Sequence, residues 1–273
     1  MEIEYSARSH VGRVRGNNED NLYVDGVILT PDMRERPFSI DGSTRSAAVF
    51  AVCDGMGGED NGEIASLLAV QALLNAEGQI KSNIPERLEE TVQSYVKEVC
   101  ESIRTETESS GKRTGTTLAL AVICEKGIYC FNSGDSRIYG LKKSDFWQIT
   151  NDHNLAAEHI RNGIITKNQA ADVINGNKLT RCMGIGNVSD VESSPPVTGD
   201  CRILICSDGL TDLLNDGEIE NFLRTSTRAA NAADYLLQSA LEKGGKDNVT
   251  VIVLDVKDMK SSFFHNFTKK RKG

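Results

Sequence analysis

Much is missing from this 273-residue chain, and each absence closes off a class of function. There is no excess of Lys and Arg: the net charge is -8, which excludes a general nucleic-acid binder that must neutralise phosphates. None of the seven cysteines (Cys53, Cys100, Cys124, Cys130, Cys182, Cys201, Cys206) forms a Cys-x-x-Cys pair, and most lie in or beside apolar runs. Buried free thiols in a reducing cytosol are therefore expected, rather than zinc ligands or disulfides. The Cys-x5-Arg loop of a covalent phosphocysteine mechanism is also absent. Apolar runs such as 118–124 are far too short to cross a bilayer. The start, Met1-Glu2-Ile3-Glu4-Tyr5, has no basic region followed by an apolar stretch, so no signal peptide is expected. No internal repeat or low-complexity linker appears. What remains, 39% apolar and 26% charged residues, is an ordinary globular composition with enough length to bury a sizeable core.

Strand-like runs rich in Val, Ile, Ala and aromatics appear at 22–24, 47–53, 117–124, 127–132, 137–141, 202–206 and 249–256. Helical periodicity covers 62–74, 85 to about 108, and 227–243; in the second, Leu88, Val92, Tyr95, Val96 and Val99 form one stripe. Pro85 suits a first helical turn with Ser82 or Asn83 as its cap. Strands in consecutive runs, with long helices grouped between them, predict an α+β arrangement of antiparallel sheets covered by helices. A single domain over 1–256 is expected. The segment 30–46, with two prolines and many charges, reads as an exposed loop, and 257–273 as a basic tail expected to be disordered.

Four aspartates stand at the ends of apolar runs, each beside a glycine or polar turn: Asp54 in Asp54-Gly55-Met56-Gly57-Gly58, Asp135 in Gly134-Asp135-Ser136-Arg137, Asp208 in Ser207-Asp208-Gly209, and Asp247 in Gly244-Gly245-Lys246-Asp247-Asn248. A carboxylate at a strand end sits at the rim of a buried sheet, and several such oxygens suit hard divalent cations. Near the N-terminus, Arg15-Gly16-Asn17-Asn18-Glu19-Asp20 adds a planar fork that matches a phosphate dianion, and two more acids.

Together with Thr114-Gly115-Thr116-Thr117 and Asp152-His153, these segments resemble the metal-dependent serine/threonine protein phosphatase family of the protein phosphatase 2C type, in its bacterial branch. They follow the family's order and span nearly the whole chain. The resemblance implies a β-sandwich of two antiparallel sheets flanked on both sides by antiparallel helix pairs, with metals in a cleft at one end. It implies Mn²⁺ or Mg²⁺, two in the core and a third, weaker one. Asp54 would bridge two ions, Asp208 and Asp247 would complete the first, and the Gly55 carbonyl would bind the second. Glu19 and Asp20 would act on the second through water, Asp135 with Asp208 would hold the third, and Arg15 would hold the substrate phosphate. Attack would come from a metal-bridging hydroxide.

Eukaryotic relatives often carry histidine where this chain has Met56, which cannot donate a proton; water is the expected source. His153 is expected to be structural, and 155–177 corresponds to the family's flap. A cytoplasmic monomer acting on phosphoproteins made by a serine/threonine kinase, without nucleic-acid or membrane partners, is the expectation. An inactive binding module and a phosphatase of small metabolites are the alternatives, and retention of all the metal aspartates speaks against the first.

Overall fold

The computed structural model describes residues 1–57, 61–108, 113–143, 145–186 and 190–259. Gly58 of the glycine-rich motif, and the tail beyond 259, lie outside the described residues. In chain order the first half holds β1 (Glu2–His10), β2 (Asp20–Val24), β3 (Val27–Ile28), α1 (Pro31–Arg34), β4 (Phe38–Thr44), β5 (Ala48–Gly57), α2 (Gly62–Ser82) and α3 (Leu88–Glu108). Then come β6 (Thr114–Thr116), β7 (Leu118–Cys124), β8 (Gly127–Ser133), β9 (Arg137–Lys142), β10 (Asp145–Gln148), α4 (Leu155–Arg161), a 3-10 turn (Lys167–Asp172) and β11 (Glu192–Ser193). The chain closes with β12 (Cys201–Cys206), α5 (Asp208–Thr211), α6 (Asp216–Thr225), α7 (Ala229–Glu242) and β13 (Val249–Lys257).

One sheet runs β10-β9-β12-β13-β1-β4 and the other β11-β8-β7-β5-β2-β3, with β6 attached to the end of β5. Side chains on a strand alternate between its two faces, so a doubly covered strand must be apolar throughout. β5 obeys this: Ala48, Phe50 and Val52 enter the core between the sheets, while Val49, Ala51 and Cys53 face α2 and α3. In β13, Ile252, Leu254 and Val256 face the inter-sheet core, and Val249, Val251 and Val253 face α6 and α7. The result is the expected helix–sheet–sheet–helix stack. The predicted stripe of α3 is buried at all five positions.

Four expectations change. The segment 30–46 is not a loop: it holds α1 and the edge strand β4, which pairs with β1 from Ile3↔Thr44 to Ser9↔Phe38. Its glycine and charges hide an alternation in which Phe38 and Ile40 pack against the inter-sheet core. β1 itself goes unread, because Glu4, Ser6 and Arg8 interleave with Ile3, Tyr5 and Ala7. Helix α2 runs on to Ser82, and Asn83 caps it, its N–H donating to Gln79 and Ile80 carbonyls at 3.1 and 3.2 Å. Helix α3 therefore begins at Leu88, not at Pro85. Finally, β5 does not stop before Asp54. It changes partner, from β7 up to Val52↔Ala119 to β6 from Gly55↔Thr116, and Asp54 sits at the changeover.

Candidate metal and phosphate site

Asp54, Asp135, Asp208 and Asp247 come from the β5–β6 changeover, the β8–β9 turn, the start of α5 and the entry to β13, and all meet at one end of the sandwich. With Arg15, Glu19 and Gly55 they line a single cavity of about 470 Å³. Asp20 lies beneath it, fully buried and paired across the ladder with Asp54.

The position of Asp54 is set by its main chain. Its N–H donates to Thr117 Oγ1 at 2.9 Å, and its carbonyl accepts from Thr117 N–H at 2.9 Å and Thr116 Oγ1 at 3.0 Å. The 114–117 segment thus fixes the strand. Gly55 is pinned from the other side: a Cβ there would stand 2.1 Å from the Gly62 carbonyl oxygen and 2.7 Å from that of Glu19. Only glycine lets the first turn of α2 come this close.

Asp20 accepts from Ser207 Oγ at 2.7 Å through Oδ2, while its buried Oδ1 has no partner among the described residues. Asp247 accepts from Arg15 Nη2 at 2.7 Å and from Asn248 N–H at 2.8 Å. Asn248, in sequence only a member of the Gly245-Lys246-Asp247-Asn248 motif, clamps the loop that carries Arg15. Its Oδ1 accepts from Glu19 N–H at 2.7 Å, and its Nδ2 donates to the Val11 and Asn17 carbonyls, both at 2.9 Å. Ser207 likewise carried no sequence signal beyond its place before Asp208.

The electrostatics suit a cation. Burial first, then the charges of Asp208, Asp20 and Asp135, push the Asp54 carboxyl well above its ordinary range. Burial and neighbouring aspartates likewise raise Asp20, Asp135 and Asp208. Asp54 and Asp208 stand within hydrogen-bonding reach of each other. Two ionised carboxylates hold such a distance only with positive charge between them. The orphaned Asp20 oxygen and this all-oxygen donor set fit a hard divalent ion. No three acidic, thiol or imidazole side chains converge on one point among the described residues. The ligand shell would therefore draw on the Gly55 carbonyl and water.

His153 stands apart from the cavity. Its Nδ1 accepts from Gly134 N–H at 3.1 Å, so Nε2 carries the proton and donates to Glu192 at 3.0 Å. Arg137 grips Asp152 through Nε and Nη2, at 3.0 and 2.6 Å. Both fix the turn that presents Asp135. The excursion 155–177 is zipped at its base, Leu155 N–H to Lys178 O and Ala156 N–H to Gly176 O, at 3.0 and 2.8 Å. Its return, at Asn177, Lys178 and Leu179, borders the cavity. All seven cysteines are free and buried.

A two-sheet sandwich between helical layers, with crowded carboxylates and an arginine at one end, is the architecture of metal-dependent phosphatases. The chain belongs to the protein phosphatase 2C family, whose model matches residues 39–243. It is 33% identical over 255 residues to the serine/threonine phosphatase stp of Listeria innocua, covering 91% of this chain and 94% of that one. The fold matches the Mycobacterium tuberculosis serine/threonine phosphatase PstP/Ppp with a TM-score of 0.78 at 29% identity, over 94% of this chain and 100% of that one. A crystal structure of the PstP catalytic domain with two manganese ions matches with a TM-score of 0.75 at 30% identity, covering 94% of this chain and 100% of that one.

Proposed function

We propose that this protein is a Mn²⁺- or Mg²⁺-dependent protein serine/threonine phosphatase. The observation that carries the reading is the gathering of Asp54, Asp135, Asp208, Asp247 and Glu19 with Arg15 around one cavity. Asp54, Asp208, Asp247 and the Gly55 carbonyl would hold two ions, with Glu19 and Asp20 acting through water and Asp135 with Asp208 holding a third. What bound divalent ions supply there is Lewis acidity toward phosphate and water.

The chain's own residues do the rest. Arg15, half exposed and engaged in the described contacts only through Nη2, offers its guanidinium to the equatorial phosphate oxygens. Thr116, Thr117 and Asn248 hold the backbone of the acidic loops, so that little reorganisation is needed. Met56 lines the cavity, and no histidine does among the described residues. On this reading the proton for the departing serine or threonine oxygen comes from water in the cleft.

The substrates on this reading are phosphoproteins produced by a serine/threonine kinase, met in the cytoplasm by a monomer whose catalytic unit is the single domain 1–256. No helix among the described residues is long and apolar enough to cross a membrane. The test is release of phosphate from a phosphothreonine peptide with Mn²⁺, lost by roughly a thousandfold or more in Asp208→Asn. Absence of turnover with every divalent metal would favour a binding module. Faster turnover of small phosphorylated metabolites than of peptides would move the substrate class.

A further inference from the structure

Among the described residues two arginines, Arg8 and Arg34, are less than a tenth exposed, and they are kept in different ways. Arg8 donates Nε to Asp234 at 2.6 Å and Nη1 to Asp41 at 2.8 Å, so its charge is matched where it sits. Arg34, the last residue of α1, is 5% exposed and donates Nη1 to the Glu63 carbonyl at 2.9 Å. Its Nε and Nη2 find no partner, and no carboxylate stands at ion-pair distance among the described residues. A guanidinium buried on one carbonyl is costly, so its charge must be balanced from farther away.

The nearest acids are Glu63 on the same helical turn and the Glu19–Asp20 pair on its other side. Glu63 is the second residue of α2, and Gly62 before it carries the Glu19 carboxylate: a Cβ on Gly62 would meet Glu19 Oε1 at 2.7 Å. Ser66 Oγ, in the same turn, donates to the Glu19 carbonyl at 2.6 Å. The guanidinium and the Glu19 carboxylate thus rest on consecutive residues of α2. Burial outweighs the rest and leaves the Arg34 pKa below its ordinary value, while the carboxylates of Glu63 first, then Asp20 and Glu19, work for its charge.

We propose that Arg34 is a resident countercharge for the Glu19–Asp20 side of the metal site, a positioning residue that steadies those carboxylates and lowers the affinity of the cation held there. The proposal rests on the cation reading above. Charges in a protein interior are poorly screened, so an incoming divalent ion meets both the acids and the arginine behind them. No family motif contains Arg34; the fold brings it in from a segment that reads as a loop.

Isothermal titration with Mn²⁺ and thermal unfolding with and without Mn²⁺ test this on the full chain and on Arg34→Met, Arg34→Gln and Arg34→Lys, with circular dichroism to confirm folding. Arg34→Met and Arg34→Gln should bind Mn²⁺ roughly fivefold tighter or more. They should melt lower without metal and gain more Tm when saturated, whereas Arg34→Lys should stay close to the parent. If Arg34→Met does not fold, the Gln and Lys pair decides. Unchanged or weaker Mn²⁺ binding in the neutral variants, or a lysine variant that behaves like them, overturns the proposal. A parent protein that binds no Mn²⁺ instead overturns the cation reading itself.

Discussion

Helices α2 and α7 bury similar faces, Ala65, Ala69, Val70 and Leu73 from the first and Ala232, Ala233, Leu236, Leu237 and Ala240 from the second. Their polar anchors differ. The first turn of α2 packs on Gly55 and Glu19, two candidate ligands, and its Glu63 carbonyl takes Arg34. Helix α7 is tied to the other sheet by Asp234 and Arg8, and reaches the site only through its C-terminal end, where the Ala240 and Leu241 carbonyls accept from Gly245 and Gly244 N–H. Equal burial can therefore serve unequal purposes. The first turn of α2 packs directly on candidate ligands, while the buried face of α7 serves stability and only its last turn braces the loop before Asp247.

The largest expected effect tests the second half of that contrast. Leu236 is fully buried in α7, so Leu236→Ala should cost about 3 kcal/mol of unfolding free energy by urea titration, with kcat/KM per folded molecule unchanged. A variant that folds less well and also loses substrate affinity would break the contrast. Gly55→Ala should do the reverse. Its Cβ would strike main-chain atoms 2.1 and 2.7 Å away, which no side-chain rotation relieves. Strand and helix must part, and turnover should fall about 100-fold, about 2.7 kcal/mol, with weaker Mn²⁺ binding by titration. Gly78→Ala, in the same helix but with nothing within 4 Å of the added Cβ, is the control, and should leave both quantities in place.

The contrast also explains what could be read from the sequence. β5, β7, β12 and β13 are covered on both faces and therefore read as long, largely apolar runs, with Arg202 and Asp255 pairing with each other where β12 and β13 carry charge. β1 and β4 lie at one end of their sheet, where Arg8 and Asp41 pair with each other across the two strands, and those charges masked the alternation. In the site, the acids were legible because each ends or begins an apolar run. Asn248, Ser207 and Arg34 were not, because their partners lie far along the chain: Asn248 reaches back to Glu19, and Ser207 to Asp20. A long-range hydrogen bond leaves no local trace.

Asn248 sharpens the contrast on a smaller scale. Asn248→Asp keeps the oxygen that accepts from Glu19 N–H but loses both donors to Val11 and Asn17. Leaving these partly buried carbonyls unpaired should cost about 1 kcal/mol in urea titration. Because that loop carries Arg15, KM for a phosphopeptide should rise more than kcat falls. A pure kcat effect would show that the loop serves the acids rather than the phosphate.

The smallest effect concerns the β8–β9 turn, which is braced from the flap side by His153. Burial lowers the His153 pKa below its ordinary 6.5; Glu192 opposes this, while Arg181 and Arg161 add to it. The unfolded chain therefore binds this proton more readily than the folded one. The sign follows from linkage: the contribution is whole above pH 6.5 and is lost as pH falls from 6.5 through the folded value. Burial raises Glu192, but its hydrogen bonds from Asn151 and His153 outweigh that and leave it below 4.5, so its own contribution fades at still lower pH in the same direction. The raised site carboxyls act in the opposite direction in both proteins, so the His153 contribution is read as a difference: between pH 7 and 5.5 the Tm of the parent should fall relative to that of His153→Asn, which has no titrating ring. Equal slopes in the two proteins would mean that the brace holds with a charged imidazole, which the Gly134 N–H donated to Nδ1 forbids.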